Sequence, residues 1–134
     1  MGKISLLYFI DSSIDVYFEI QNIIRRFAIT NNPLIEMRII AARTIRQYYE
    51  ANPASKAALQ DWTTKVKNAN WTSFADMKET FNSVDYVGNQ HYVFNIKGND
   101  FRLVAVVKFT VHFVLIRFIG THAEYDKIKD ITNI

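Results

Sequence analysis

From Met37 onward the apolar positions fall into a legible succession of periods. Met37-Arg38-Ile39-Ile40 is predicted as a short strand, and from Thr44 to Tyr49 the residues Ile45, Tyr48 and Tyr49 share one helical face. Asn52-Pro53 reads as an N-cap followed by proline at the first helical position. After it Ala58, Leu59, Trp62, Val66 and Ala69 recur at helical spacing, which leaves Lys56, Lys65 and Lys67 toward solvent. The two helices are expected to form a hairpin. Ser73-Phe74-Ala75-Asp76 has the form of a capping box, and Phe74, Met77 and Phe81 make a short amphipathic helix behind it.

Beyond that point the pattern changes to strands. Tyr92 to Ile96, Phe101 to Lys108 and Val111 to Ile119 are dense in Val, Ile and Phe, separated by a Gly-Asn turn and by a break near Thr110. Thr121 and Glu124 form a second capping box, so a final short helix is expected. The order predicts an α+β fold: an N-terminal strand and a helical hairpin packed on one face of a twisted, mainly antiparallel sheet, with a short C-terminal helix.

Residues 1–36 differ from this domain. Lys3 and the run Ile4 to Ile10 superficially match an export signal, but the run is short and no small-residue cleavage site follows, so export is not expected. Ile14, Tyr17, Phe18, Ile20, Ile23, Ile24 and Phe27 fit helical spacing behind Ser12 or Ser13. Asp15, Glu19, Arg25 and Arg26 make that helix too polar to span a membrane. Asn31-Asn32-Pro33 then marks a boundary. The expected division is an N-terminal extension, 1–36, and a domain, 37–134. The extension is either an upstream in-frame stretch from a misassigned start codon, the preferred reading, or an extra helix packed on the domain.

Composition narrows the chemistry. A chain of 134 residues can bury a core without staples. The absence of cysteine excludes disulfides and thiolate metal sites, and suits a reducing cytoplasm. The net charge is +3, and its distribution is uneven: residues 1–36 hold 3 Lys/Arg and 4 Asp/Glu, leaving 13 and 9 for the domain. A basic domain weakly favours an acidic partner such as nucleic acid. His91, His112 and His122 lie on separate elements and make no metal-binding pattern, His112 reading as a strand residue near a turn. Gly-rich phosphate loops and nucleophile triads are also missing.

The hairpin around Lys97 is the remaining candidate. If its turn is Gly98-Asn99, or the four residues Lys97 to Asp100, then Ile96 faces Phe101 and Asn95 faces Arg102. Asn95, Lys97 and Arg102 then share one face, and Phe94, Ile96, Phe101 and Leu103 the other. An Asn99-Asp100 turn would instead oppose Lys97 to Arg102 and Asn95 to Val104. Alone, the polar face is what any half-solvated sheet shows. The final helix adds His122, Tyr125 and Asp126 at neighbouring positions, and its free N–H groups favour a phosphate. RNA cleavage needs a base for the 2′-OH proton, a cation for the charge on phosphate and an acid for the leaving oxygen. Histidine, with an unperturbed pKa near ~6.5, suits proton transfer, and arginine forks onto phosphate oxygens.

These residues carry a family resemblance. Met37 to Arg43, Trp71 to Phe81, Val93 to Leu103 and Ile119 to Ile128 resemble, in order, the HigB-type toxins of bacterial toxin–antitoxin pairs, within the RelE-like group. The resemblance implies a cytoplasmic, ribosome-dependent mRNA endoribonuclease that needs no cofactor or metal and is neutralised by a cognate HigA-like helix-turn-helix antitoxin. It further implies Arg102, His122 and Tyr125 as the catalytic group, and Asn95 and Lys97 as holders of the RNA backbone. Lys65 and Lys67 are candidates for contact with ribosomal RNA through phosphate attraction. Two other readings stay open: a ParE-like inhibitor of DNA gyrase on the same fold, and a co-repressor that has lost catalysis.

Overall fold

Alternating runs of Val, Ile and Phe dictate the sheet, and the helical stripes supply its cover. The computed structural model describes residues 17–22, 24, 25 and 36–134. β1 (Arg38–Ile40) leads into α1 (Ala42–Ala51), a 3-10 turn (Pro53–Ser55), α2 (Lys56–Lys67) and α3 (Phe74–Thr80). Then come β2 (Asp85–Gly88), β3 (His91–Ile96), β4 (Phe101–Lys108) and β5 (Phe113–Thr121), before α4 (His122–Asp126) and a last 3-10 turn (Ile131–Asn133). The strands lie in the order β1-β5-β4-β3-β2. Among the described residues only the β1–β5 contact is parallel.

One face of the sheet carries Tyr92, Phe94, Ile96, Phe101, Leu103, Val114, Ile116 and Ile119, and this face packs on Ile45, Tyr48, Leu59, Trp62 and Val66 of the helices. Trp62 meets Phe94 edge-on at 5.3 Å between centroids, and Phe81 closes the cluster against both rings. Each such side chain contributes about 1.5–3 kcal/mol on burial, more than a typical cap. Packing therefore decides where the helices lie, and caps only trim their ends.

The caps differ from their sequence expectation in two places. Asn52 both ends α1 and caps the 3-10 turn that leads into α2, but its side chain makes no N-cap bond: its side-chain amide and its backbone N–H both donate to Tyr48 O, at 3.1 and 2.8 Å. Pro53 then opens the 3-10 turn. Ser73 does accept from the Asp76 N–H, at 3.2 Å, but the Asp76 carboxylate accepts from Thr72 N–H and Oγ instead of from Ser73. The Thr72 backbone bond, reinforced by its hydroxyl, holds the Asp76 carboxyl below the usual carboxylate range.

The opposite face is not simply solvated. Val93, Val104 and Phe118 are covered by Tyr125, Ile128, Ile131 and Ile134. β2 is a strand the hydrophobic pattern did not mark, and β5 starts at Phe113, because Val111 and His112 belong to the turn and His112 has φ 56°. Residues 17–22, 24 and 25 are helical, in keeping with the predicted spacing. Ile20 packs with Ile40 and Phe113, and Glu19 Oε2 accepts from Ala41 N–H at 3.2 Å. The run Ile4 to Ile10 and the boundary at Asn31-Asn32-Pro33 lie outside the described residues.

Candidate active site

The β3–β4 hairpin adopts the first register. Asn95 pairs with Arg102, and Ile96 with Phe101. The turn closes when Asp100 N–H donates to Lys97 O at 3.2 Å, with Lys97 and Gly98 both left-handed at φ 53° and 63°. Asn95 and Arg102 thus share the outer face, half-buried and buried, while exposed Lys97 has left the strand and its alternation.

Arg102 is held by the hairpin it belongs to. Its Nη1 donates to Asn99 O and Phe101 O, each at 3.2 Å, and its Nη2 donates to Asn99 Oδ1 at 3.0 Å. Those bonds use part of the guanidinium's five-donor fork. An arginine fixed this way loses little further freedom when it binds.

α4 is joined to the same hairpin. The expected capping box forms: Thr121 Oγ accepts from Glu124 N–H at 3.1 Å, and Glu124 Oε1 accepts from Thr121 N–H at 2.8 Å. His122 N–H donates to Asp100 O at 3.1 Å. Three N–H groups at the start of α4 are therefore taken by the protein, which corrects the expectation that they would hold a phosphate. On the side chains, His122 Nδ1 lies 3.4 Å from Asp126 Oδ1, with both groups about half exposed.

Tyr125 points onto Val93, Val104 and Phe118. Burial pushes its phenol above the ordinary tyrosine value; Arg102 opposes that shift, while Asp85 and Asp126 add to it. Tyr125 is a proton carrier at neutral pH, within electrostatic reach of Arg102. The arrangement therefore combines a fixed cation, a protonated phenol and an exposed imidazole around one hairpin tip.

Lys65 and Lys67 belong elsewhere. They sit on α2, across the sheet from the outer face. Lys65 pairs with Asp61 at 2.9 Å, and Lys67 borders a shallow concavity of about 410 Å³ with Arg46, Tyr49, Gln60 and Thr64. Three contributors escaped the sequence reading: Asn99, which holds Arg102; Asp100, which ties down His122; and Asp85, on the unanticipated β2. Asn99 stands three residues before Arg102 in a turn, a spacing that could have flagged it. Among the described residues no group of three or more His, Cys, Asp or Glu is placed to hold a metal ion, and no helix is long and apolar enough to cross a membrane.

Residues 55–128 match the sequence model of the HigB toxin family, described as the RelE-like toxic component of a toxin–antitoxin system. The chain belongs to the HigB toxin family. It is 32% identical over 93 residues to the mRNA interferase toxin HigB of Escherichia coli strain K12, covering 67% of this chain and 88% of that protein. It is equally similar to the mRNA interferase HigB of Shigella flexneri, and 27% identical over 94 residues to that of Escherichia coli O6:H1, covering 69% and 91%. The family match spans both the β3–β4 hairpin and α4. The fold agrees with the RelE-like architecture: five strands, all but one contact antiparallel, with a helical hairpin and a short closing helix.

Proposed function

We propose that this HigB protein is an endoribonuclease that cuts mRNA on translating ribosomes. The relatives' names support the substrate, and the observation that carries the site is the bond from His122 N–H to Asp100 O. That bond holds the start of α4 against the tip that carries Arg102. In the reaction the 2′ oxygen attacks the adjacent phosphorus, the bond to the 5′ oxygen breaks, and a cyclic phosphate and a 5′ hydroxyl result. His122 takes the 2′-OH proton, Tyr125 supplies the proton to the leaving oxygen, and Arg102 neutralises charge growing on the phosphate. Asn95 and exposed Lys97 hold the RNA backbone, and Lys65 and Lys67 meet ribosomal RNA.

The partner in this reading is a HigA-like helix-turn-helix antitoxin, and the compartment is the cytoplasm. The domain 37–134 carries the activity. The contacts of Glu19 and Ile20 support a packing role for the helix within residues 1–36.

Primer extension of a reporter mRNA after induction tests the proposal, comparing the full chain, one starting at Met37, and the Arg102→Ala and His122→Ala variants. Cleavage within the translated region by the parent, lost in both variants, is expected. Intact mRNA with damaged DNA would remove the nuclease reading.

A further inference from the structure

α4 has five residues, too few to hold its own direction, since isolated helices of that length do not persist in water. Its front is fixed by the capping box, so its rear must be fixed by the C-terminal segment. The chain after Asp126 runs across the outer face with Ile128, Ile131 and Ile134 on Val93, Val104 and Phe118. Polar bonds pin it there. Arg117 Nε donates to Ile134 O at 2.8 Å, and the Asn89 side-chain amide donates to Thr132 O at 2.9 Å. Buried His91 lies with Nδ1 2.7 Å from Asn89 O and Nε2 3.4 Å from Ile134 O.

Arg117 reaches this position through an irregularity in β5. Ala105 pairs with Ile116, but the next pair is Val104 with Phe118, so Arg117 is the extra residue of a β-bulge. The bulge also resets the alternation beyond it. It puts Phe118 under Tyr125 and puts Gly120, instead of Ile119, opposite Arg102.

We propose that Arg117, with Asn89 and His91 beside it, is a positioning residue of the site: it anchors the segment after α4 to the sheet and thereby fixes Tyr125 next to Arg102. This rests on the nuclease reading only for its effect on catalysis; the anchoring is a statement about the fold. None of the three anchoring residues is needed to touch RNA.

The test uses the full chain, labelled with 13Cζ-tyrosine, as parent, Arg117→Ala, Arg117→Lys and Asn89→Gly, the last chosen because Asn89 has φ 49° and glycine keeps that conformation. In Arg117→Ala the Tyr125 resonance is expected to move and the Ile128 amide to exchange faster. Cleavage of ribosome-bound mRNA is expected to lose about 10- to 100-fold in kcat with KM within about twofold, as for a misplaced catalytic group. Arg117→Lys should recover part of the loss, and Asn89→Gly should show a smaller change of the same kind. A parent-like Tyr125 resonance and kcat in a folded Arg117→Ala protein would overturn the proposal, as would a loss confined to KM. If Arg117→Ala does not fold, Asn89→Gly decides by the same two readouts. A parent that cuts no mRNA while Arg117→Ala still shifts the Tyr125 resonance would reject the nuclease reading and uphold the anchor.

Discussion

Gly120 stands directly across the sheet from Arg102, and no side chain could take its place without moving its neighbours. A Cβ there would come within 2.5 Å of Phe118 Cζ and 3.0 Å of Glu124 Oε1. Phe118 is fully enclosed beneath the closing segment, so its ring has little room to yield. Gly120→Ala is therefore expected to destabilise the protein by about 1–3 kcal/mol, the usual range for overpacking. Urea denaturation measures it; a midpoint equal to the parent's would show that Phe118 and Glu124 shift at no cost.

Much of this arrangement was legible in the sequence because it depends on local periods. The pairing of Asn95 with Arg102 was one of two registers that alternation around the turn allowed, the structure taking the first, and the box at Thr121 and Glu124 followed from their spacing. The hidden features depend on tertiary contacts. β2 is short, half-exposed and contains Asp85 and Gly88, residues strands disfavour, yet pairing with β3 makes it one. No local feature announces the bulge at Arg117, which only the register against β4 reveals. The cover of Ile128, Ile131 and Ile134 was invisible because three isoleucines spaced by three are too short a series to show which surface they would meet. Asn52 does precede Pro53 as an N-cap, but the same residue also closes α1, and its side-chain bond goes back to the Tyr48 carbonyl, a contact the Asn-Pro pair does not announce.

Thr121→Ala removes the acceptor for the Glu124 N–H and leaves the Glu124 carboxylate holding one end of a broken box. The expected cost is about 1 kcal/mol, typical of an N-cap threonine replaced by alanine. Thr121→Ser keeps the oxygen and should stay close to the parent. Thermal melts of the two variants separate the hydroxyl's contribution from that of the methyl group; equal losses in both would contradict the cap.

Arg102 should not be replaceable by another cation. Lysine keeps the charge, but it cannot reach Asn99 O and Asn99 Oδ1 with two nitrogens of one rigid plane. Arg102→Ala is expected to lower the rate of mRNA cleavage by about 10²–10³-fold, the scale for removing a charge-stabilising donor. Arg102→Lys should recover only a small fraction of that. Single-turnover cleavage on programmed ribosomes measures both, and full activity in the lysine variant would show that point charge alone suffices.

Tyr125 gives the site its pH signature. Burial raises its phenol above the ordinary tyrosine value, Arg102 pulls it back, and Asp85 and Asp126 push it further up. A pKa raised on folding means that the native state holds the proton more tightly, so the contribution to stability is complete below the unfolded value, ~10, and is lost as pH rises through the folded one. Stability near neutrality should therefore not depend on the titration of Tyr125, and the phenol remains a donor there. Two substitutions test the causes in opposite directions. Arg102→Ala removes the cation and should raise the Tyr125 titration further, whereas Asp126→Asn removes a carboxylate and should lower it. 13Cζ-tyrosine NMR across the alkaline range follows the titration directly, with Tyr125→Phe assigning the signal. If Arg102→Ala leaves the Tyr125 titration unmoved, the two side chains do not share one site, and the assignment of Arg102 and Tyr125 to the same reaction fails with it.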